Sequence, residues 1–401
     1  MTTAISHEQI KSIIADELPE LLAIRHDLHA HPELGYEERR TSEVVRRELT
    51  NVGIEFVSDL AGGTGILGHL PGEAEKAIAL RADMDALPIL EESDLAYRST
   101  IDGVMHACGH DGHTTMLIGA ARVLSKVAQQ NKLPRPITFI FQPAEEGGAG
   151  GERMVKEGCL DGSLIGPPIE NAFGLHGWPR LQLGQVATRP GVLLAAADSF
   201  ELTIHGKGAH AAWPHGGHDP VLAAAEVVTA LQSIVSRNID PFESVVISVT
   251  QMEAGSAHNI IPGSAKISGT VRTLTPQMRE FVQQRMQTVA DGIAQAHRCS
   301  AELEYHDGYP PTVNDPDAVA IFRNVAMEAI GQDHVHEMEH PVMGGEDFAF
   351  YGQVVPACFF VLGLVPQGAE SFPDLHQPTF NFNDDALALG IELFCRLALR
   401  D

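Results

Sequence analysis

The residues ITFIFQPAEEGG, numbered 137 to 148, lead from an apolar run directly to two adjacent carboxylates. Short apolar runs bounded by proline and glycine are typical of buried β-strands. In open α/β sheets, ligands and catalytic groups collect at the carboxyl ends of the strands. The segment therefore predicts a buried strand over 137–142, with Glu145 and Glu146 where a functional site is expected.

The segments on either side continue an alternation of strand and helix. Between residues 113 and 128, Leu117, Ala120, Ala121 and Leu124 share one helical face. The other predicted strands cover 78–81, 172–175 and 359–362, and the other predicted helices cover 318–330, 384–399 and most of 8–50, with a break at His31 and Pro32. This alternation predicts an α/β fold with a mixed, mainly parallel sheet that helices flank on both faces.

A different order of elements occupies the middle of the chain. Strand, helix, strand, strand, helix and strand are predicted in turn at 200–205, 219–237, 245–252, 265–273, 277–297 and 301–305. This is the split β-α-β-β-α-β order of ferredoxin-like domains, in which two helices cover a four-stranded sheet. The 401 residues also exceed what one hydrophobic core usually serves. We therefore expect an inserted α+β domain at 195–306 and a first domain formed by 1–194 and 307–401.

The composition excludes several classes of protein. The 53 acidic and 27 basic residues give a formal charge of −26, which disfavours contact with nucleic acid or anionic lipid. No stretch approaches the ~20 apolar residues of a membrane helix. The start, MTTAISHEQIKSII, lacks a secretion signal, and the five scattered cysteines suit a reducing compartment. We therefore expect a soluble, cytoplasmic protein.

Two good metal-ligand types stand two residues apart in the segment CGHDGH, residues 108 to 113. In extended backbone, residues i and i+2 point the same way, so Cys108 and His110 can reach one metal ion together. The alternative is a buried thiol beside a helix-capping histidine. The segment by itself leaves both interpretations open.

The paired glutamates shift the balance toward a metal site. Adjacent carboxylates in extended backbone face opposite ways, so one of them can bind a metal ion while the other addresses the metal's water. A solvated acidic loop is the ordinary alternative. Pro143 and the following glycines, however, hold this pair at a strand end.

Two further histidines recur in similar settings. His176 follows a predicted strand in GLHG, and His376 follows a loop in LHQP. Together with the residues above they make five candidate ligands on four loops, enough for two metal ions: Cys108, His110, Glu146, His176 and His376. His26 and His29 are one helical turn apart, and we expect them on a solvated helix face.

The ordered motifs extend over nearly the whole chain. They are HPELGYEE (31–38), LRADMDALP (80–88), HACGHDGH (106–113), QPAEEG (142–147), GLHG (174–177), GKGAHAA (206–212), NIIPG (259–263) and GGEDF (344–348). In these motifs the chain resembles the aminoacylase and carboxypeptidase family of dinuclear metallopeptidases. Within that family it most resembles the hippurate hydrolases and the auxin-amino-acid conjugate hydrolases.

The resemblance implies that the five candidate ligands bind the metal ions and that Glu145 is the catalytic carboxylate. The chain departs from the carboxypeptidase-type relatives at two places. Those relatives carry His-x-Asp where this chain has Asp83-Met84-Asp85, and an aspartate where it has Cys108. Asp85 keeps the orienting aspartate of the relatives and is a candidate to support a metal ligand, whereas the sequence indicates no role for Asp83.

The implied reaction is metal-dependent hydrolysis of the amide bond of N-acyl amino acids, either hippurate-like or N-acetylated, to a carboxylic acid and a free amino acid. Metal-activated water would give its proton to Glu145, which would pass it to the departing amine. The alternative enzymes are a metallo-carboxypeptidase or dipeptidase, and a deacetylase of the N-acetyl-diaminopimelate type. A metal-binding or storage protein is the alternative from another class, but it would have no use for Glu145.

The resemblance also makes the domain at 1–194 and 307–401 the catalytic, metal-binding domain, and the inserted domain a lid and dimerisation domain. His210 would donate toward the developing oxyanion, in the active site of the partner subunit of a homodimer. Arg272 could hold a substrate carboxylate by paired hydrogen bonds, and Asn259 resembles a substrate-contact position. The ordinary alternatives are a strand-end histidine, a surface arginine and a turn-forming asparagine.

The donor set limits the identity of the metal. One thiolate with three imidazoles suits zinc, cobalt or nickel, while an open site with a carboxylate also admits manganese. We expect two divalent metal ions per subunit, a small N-acyl amino acid as substrate, and a homodimer or higher homo-oligomer.

Overall fold

A computed structural model describes residues 6–369 and 371–400 of the chain. Residues 1–5, Glu370 and Asp401, which the predicted catalytic domain includes, lie outside the described residues. The chain divides into two compact units, one of Met1–Leu193, Val313–His340 and Asp347–Asp401, and one of Leu194–Thr312 and Pro341–Glu346. The insert predicted at 195–306 falls within the second unit, which also takes in Leu194, 307–312 and 341–346.

The first unit begins with two helices and a succession of strands. Its elements before the second unit are α1 (His7–Ala30), α2 (Arg39–Asn51), β1 (Glu55–Leu60), β2 (Gly65–Leu70), β3 (Ala77–Asp83), α3 (His110–Gln130), β4 (Ile137–Gln142), α4 (Gly150–Lys156), β5 (Ile169–Gln182), β6 (Val186–Thr188) and β7 (Gly191–Leu194). β4 has the limits predicted for it. β1 and β2 were missed because the first is charged and half-exposed and the second is interrupted by glycine, both of which weaken a strand pattern.

The second unit has the predicted β-α-β-β-α-β order. Its elements are β8 (Ala196–His205), β9 (Ala209–His210), α5 (Pro220–Asn238), β10 (Val245–Ala254), β11 (Ile260–Ile261), β12 (Ser264–Thr273), α6 (Pro276–Ala296) and β13 (Ser300–Tyr309). Four strands form an antiparallel sheet in the order β10-β12-β8-β13. Phe200, Leu202 and Ile204 alternate into the core with α5 and α6, as a sheet with one buried face requires.

Both helices of the second unit begin at sequence-encoded caps. The Asp219 side chain accepts hydrogen bonds from the first backbone amides of α5, and Thr275 does the same for α6. Each cap is followed by a proline at the first helical position, where its missing N–H and fixed φ cost nothing. These caps explain why the predicted helix starts lie within a residue of the observed ones.

The chain then returns to the first unit. The remaining elements are β14 (Thr312–Asn314), α7 (Pro316–Ile330), β15 (Val335–Glu337), α8 (Ala349–Gly352), β16 (Ala357–Val365) and α9 (Leu387–Ala398). The helix predicted from residue 384 begins later because Asp384–Ala386 form a 3₁₀ turn. The apolar run at 357–365 is a fully buried strand except at its last residue.

The large sheet of the first unit is mixed and has eight strands in the order β1-β2-β4-β3-β5-β16-β6-β15. Its four central strands, from β4 to β16, are parallel to one another, and antiparallel pairs lie toward the β1 edge and between β16 and β6. Helix-connected parallel strands buried on both faces define an α/β architecture. The predicted fold class is confirmed.

Helix α3 lies in the centre of the first unit, against α1, α9 and β3. It is buried on nearly all sides, beyond the single apolar face that the periodicity predicted. A Cβ at Gly119 would stand 2.6 Å from the Ile391 side chain, so α3 and α9 approach closely. Each buried leucine stabilises such a contact by about 1.5–3 kcal/mol. The start of α3 is therefore held firmly, and this matters because α3 begins at His110.

The five cysteines are free thiols, and all except the half-buried Cys299 are buried. None of the helices within the described residues combines the length and the apolarity that crossing a membrane requires.

Candidate metal centre

The parallel strands bring polar residues to one edge of the large sheet. Asp83, the last residue of β3, is opposite Gln142, the last residue of β4. β5 pairs with β3 as far as Gly174, so His176 lies two residues past the end of that pairing. The carboxyl ends of these strands therefore form the common edge that the α/β pattern predicts for a site.

His176 lies within β5 and not at its end. The predicted strand stopped at Leu175, but β5 continues to Gln182 because β16 supplies a longer partner on its other side. That part of the prediction was wrong. The side chain still faces the strand-end region because β3 has already ended at Asp83.

Cys108 and His110 lie at the start of α3, so the extended backbone predicted for them was wrong. Gly109 is the N-cap with a φ of 87°, a conformation that glycine adopts without strain, and His110 is the first helical residue. The two side chains nevertheless converge. A potential ligand atom of each lies within 4.8 Å of the other and of one on His176.

Asp85 connects His110 to the paired glutamates. Its Oδ1 is 3.2 Å from Nδ1 of His110, and its Oδ2 accepts a hydrogen bond from the backbone amide of Glu146 at 2.9 Å. Burial alone would lower the pKa of His110, but the charge of Asp83 and the hydrogen bond to Asp85 raise it to about 10. The structure thus places Asp85 against His110, and the supporting role of Asp85 stays a prediction.

The second ring nitrogen of His110, Nε2, has the surroundings expected of a metal-ligand atom. Nε2 is buried and has no hydrogen-bond partner within the part of the chain that the structure describes. A buried polar atom without a partner is costly, and most such atoms in proteins are bound to something. This nitrogen therefore fits a metal ion.

His176 presents a neutral ring to Cys108. Its Nδ1 donates to the carbonyl oxygen of Gly177 at 2.7 Å, and its Nε2 is 3.2 Å from the Cys108 sulfur. Burial, followed by the charge of His113, lowers the pKa of His176 to about 3. Burial and then the charge of Glu146 raise the pKa of the Cys108 thiol well above its usual range. A thiolate at this position therefore needs a cation beside it.

Glu145 and Glu146 lie in a turn after β4 and not in extended backbone, contrary to the prediction. Ala144 and Gly147 have φ angles of 52° and 84°, and the Gly147 amide donates to the Glu145 carbonyl at 2.8 Å. The turn brings both carboxylates to one cluster. An oxygen of each lies within 4.8 Å of the other and of a His110 nitrogen.

His376 comes from the loop that follows β16. Its backbone amide donates to the Ala107 carbonyl at 2.9 Å, which ties this loop to the start of α3. Its Nε2 is 3.1 Å from a carboxylate oxygen of Glu146, and its side chain is half-exposed. Burial alone would raise the pKa of Glu146, but the adjacent His376 ring lowers it. The ionised form of Glu146 is therefore favoured.

The five predicted ligands fall into two groups that share Cys108. The groups are Cys108, His110 and His176, and Cys108, Glu146 and His376, with all potential ligand atoms of each group within 4.8 Å of one another. One sulfur, three imidazole nitrogens and one carboxylate form a donor set typical of transition-metal sites. The residues present therefore fit two metal ions.

Asp83 and His113 form a buried pair that sequence reasoning did not assign. His113 Nδ1 donates to Asp83 at 2.7 Å, and His113 Nε2 accepts from the Gly177 amide at 2.8 Å. Arg81 holds the other oxygen of Asp83 at 2.6 Å. With both ring nitrogens engaged, His113 supports β5 beside the site instead of offering a ligand. The signal was its position one helical turn after His110.

A second buried network lies behind the start of α3. Asp111 accepts from Arg25 Nε at 3.2 Å and lies 2.8 Å from Nδ1 of His29, whose Nε2 is 3.2 Å from Glu91. The prediction of a solvated His29 was wrong, because its ring is fully buried, whereas His26 is partly exposed. Sequence periodicity missed this network because its members lie on separate segments.

The three residues predicted to contact substrate lie in the second unit. His210 ends β9, and the Ala211 amide beside it donates to the Asn259 carbonyl at 2.9 Å, so His210 and Asn259 are close neighbours. Arg272 lies in β12, where its guanidinium contacts the Asp198 carbonyl at 3.4 Å. The roles of these three residues stay predictions.

A thiol, three imidazoles and a carboxylate, with a further buried carboxylate beside two of them, define a metallohydrolase type of site. Residues 79–400 match the model of Peptidase family M20/M25/M40, and the chain belongs to that family. The family resemblance and the hydrolase class predicted from the motifs are confirmed.

Individual relatives span nearly the whole chain. IAA-amino acid hydrolase ILR1-like 5 of Arabidopsis thaliana is 41% identical over 95% of this chain and 86% of its own length. N-acetylcysteine deacetylase of Bacillus subtilis is 39% identical over 94% of this chain and 96% of its own. The crystal structure of a dinuclear metal binding peptidase of the M20 family from Bacillus subtilis matches with a TM-score of 0.81 and 34% identity, covering 96% of this chain and 98% of that one.

Proposed function

We propose that the protein hydrolyses the amide bond of small N-acyl amino acids, releasing a carboxylic acid and a free amino acid. The observation that carries the proposal is Glu145, a buried carboxylate with an oxygen within 4.8 Å of potential ligand atoms of His110 and Glu146. The names of two relatives, an IAA-amino acid hydrolase and an N-acetylcysteine deacetylase, support this substrate class. The two names share an amino acid in amide linkage and differ in the acyl group.

We infer that the protein uses two divalent metal ions. Cys108, His110 and His176 would hold one ion, and Cys108, Glu146 and His376 would hold the other, with the thiolate shared. Such ions supply Lewis acidity toward the amide carbonyl and lower the pKa of water. The donors suit zinc, cobalt or nickel, and the carboxylate also admits manganese.

Glu145 would carry the proton between the attacking water and the leaving group. Its side chain accepts a hydrogen bond from the Asp347 amide at 3.3 Å, which helps to hold it beside the ligand cluster. A carboxylate so placed can take a proton from water as a base and return it to the amine nitrogen as an acid. Asp85 would act on this chemistry indirectly, because it holds His110 and the Glu146 amide.

The second unit would contribute to catalysis through assembly. In a homodimer or higher homo-oligomer it would act as a lid and dimerisation domain, with His210 donating to the oxyanion that forms in the partner subunit's active site. Asn259 and Arg272 would contact the substrate. We propose a cytoplasmic protein that acts on small molecules without nucleic acid or membrane, since a formal charge of −26 opposes contact with phosphate groups.

A hydrolysis panel tests the proposed activity. The purified protein is loaded with zinc, manganese, cobalt or nickel and given N-acetyl, N-benzoyl and N-indolylacetyl amino acids, N-acetyl-diaminopimelate and short peptides. We expect cleavage of N-acyl amino acids, loss of activity with a chelator, and recovery when the metal ion returns. Faster cleavage of peptides would indicate a dipeptidase or carboxypeptidase. Metal binding without cleavage of any compound would overturn the proposal in favour of a binding or storage protein.

A further inference from the structure

The turn that carries Glu145 and Glu146 has an uncommon backbone. Ala144 and Ala149 have φ angles of 52° and 54°, in the left-handed region that residues other than glycine rarely adopt. Such backbone persists only where neighbouring groups hold it. The motif HPELGYEE at 31–38, which the proposed function leaves without a role, lies against this turn.

Glu38 holds the turn on the side that precedes the catalytic carboxylate. Its side chain is fully buried at the start of α2, where it makes no capping hydrogen bond to the helix. One carboxylate oxygen accepts from the Ala144 amide at 2.8 Å, and the other accepts from the Thr64 hydroxyl at 2.8 Å. One oxygen of Glu38 therefore holds the turn, and the other is bound by the residue that precedes β2.

Tyr36 and Gly35 complete the contact. The Tyr36 hydroxyl donates to the Gly148 carbonyl on the far side of the turn. A Cβ at Gly35 would stand 3.0 Å from the Ala144 Cβ, and one at Gly148 would stand 2.6 Å from it. Ala144 is thus enclosed between two glycines, whose lack of side chains lets the segments meet.

Asp85 holds the turn on the opposite side. Its Oδ2 accepts from the Glu146 amide at 2.9 Å, and the adjacent Ala86 amide donates to the Glu33 carbonyl of the HPELGYEE motif at 2.8 Å. The amides immediately before and after the catalytic carboxylate are therefore both bound by buried acids, Glu38 and Asp85.

We propose that Glu38 is a positioning residue whose carboxylate, with the Tyr36 hydroxyl, fixes the turn at 143–148 so that Glu145 and Glu146 reach the same cluster. This role rests on the proposed function, because that function gives the two glutamates their tasks. Glu38 itself contacts none of the five candidate ligands by hydrogen bond. Its removal leaves the Ala144 amide without its acceptor and frees the turn to leave the left-handed conformation.

Hydrogen exchange tests the positioning directly and needs no substrate. In Glu38→Ala, we expect the amides of residues 144–148 to exchange about tenfold faster, as loss of one hydrogen bond allows. Glu38→Gln should restore slow exchange, because its amide oxygen can still accept from Ala144. Glu37→Gln is the matched control, since Glu37 is the exposed neighbour in the same motif and its variant should exchange like the wild type.

Metal binding and kinetics test the consequence of the positioning. Glu38→Ala should weaken cobalt binding by about 10- to 100-fold, as loss of support behind a ligand does. It should also lower kcat by about 10- to 100-fold, as a misplaced catalytic group does, with a smaller change in KM. A purely structural role would lower thermal stability and leave the affinity and kcat of the folded fraction unchanged.

The proposal is overturned if folded Glu38→Ala keeps wild-type exchange at 144–148 and wild-type cobalt affinity. Should Glu38→Ala fail to fold, Tyr36→Phe replaces it, because this variant removes only the hydroxyl that binds the Gly148 carbonyl. Unchanged exchange and cobalt affinity in Tyr36→Phe would then reject the role. Failure of the wild type to cleave any N-acyl amino acid would reject the proposed function separately, since exchange and cobalt binding do not depend on it.

Discussion

Glu145 and Glu146 are neighbours of the same residue type, but their side chains have different surroundings. Glu146 faces His376 at 3.1 Å, and its own amide is bound by Asp85. Glu145 instead accepts from the backbone of Asp347. The adjacent His376 ring lowers the pKa of Glu146 and so favours the anionic form that a metal ligand needs. At the scale of the residue, surroundings therefore separate a candidate ligand from a candidate proton carrier.

The different roles of the two glutamates predict different defects in the Glu145→Gln and Glu146→Gln variants. Glu145→Gln should keep both metal ions and lose about 10²- to 10⁴-fold in kcat, the usual contribution of general acid–base catalysis. Glu146→Gln should lose metal affinity first. Metal content by elemental analysis, together with kcat at saturating metal, distinguishes them. Near-wild-type turnover by metal-loaded Glu145→Gln would rule out the role of this residue.

At the scale of the element, the start of α3 depends on a buried charge network contributed by α1. Arg25 and His29 approach Asp111 from one helix, and Glu91 closes the network from a loop. Burial alone would lower the pKa of His29, but the charge of Asp111 and the hydrogen bond to it raise the pKa to about 8. Protonated His29 therefore stabilises the fold through Asp111, which follows His110 in the chain.

This network predicts a stability that depends on pH. Because the pKa of His29 is higher in the folded protein than its ordinary 6.5, its contribution is fully present below pH 6.5 and is lost as the pH rises through about 8. The shift corresponds to about 2 kcal/mol. Urea unfolding of the wild type and His29→Gln from pH 6 to 9 measures it.

The informative quantity is the difference between the two proteins, since all other titrating groups are common to both. Besides Arg25, Asp111 and Glu91, the groups that interact with the His29 ring are Tyr97 and His106. We expect the wild type to exceed His29→Gln most at pH 6 and the advantage to shrink by pH 9. A difference that stays constant across this range would contradict the assignment.

Most elements could be predicted from the sequence because their signals are local. The limits of β4 follow from an apolar run closed by Pro143, and the starts of α5 and α6 follow from a capping side chain and a proline. The start of α3 was predicted three residues late, because Gly109 and Gly112 resemble a loop when the packing against Phe382 is unknown. Local pattern sets the interior of an element, and tertiary contacts move its ends.

At the scale of the whole molecule, the candidate metal centre and the predicted oxyanion donor lie in different units. Each unit has its own core of buried side chains, one around the large sheet and one around the four-stranded sheet. His210 and Asn259 adjoin each other in the second unit, while the five candidate ligands belong to the first. Joint action therefore requires the units, or two subunits, to cooperate.

Complementation tests whether His210 acts in the partner subunit. Glu145→Gln and His210→Ala should each have low activity alone. If His210 acts across a dimer, unfolding and refolding the two variants together creates mixed dimers with one complete site, and statistical pairing of C2 dimers gives about a quarter of wild-type activity. A mixture no more active than its parts would mean that His210 acts within its own subunit or not at all.

The sequence by itself determined the fold class, the β-α-β-β-α-β order of the second unit, and the residue types of the candidate centre. It could do so because burial periodicity, helix caps and ligand residue types can all be recognised from residues that are close together in the sequence. The chemistry of Glu145, Glu146 and Cys108 can be predicted from their residue types and from their positions next to strand or helix ends.

Only the tertiary structure decided which side chains meet. It buried His29 against Asp111, gave Asp83 a partner in His113, and turned both glutamates of the 143–148 turn toward His110. It also set Glu38 against the Ala144 amide, 106 residues away in the chain. These contacts depend on the register of strands and the docking of helices that are distant in sequence. No local pattern encodes such distances, and the positions of the five candidate ligands therefore follow from the fold.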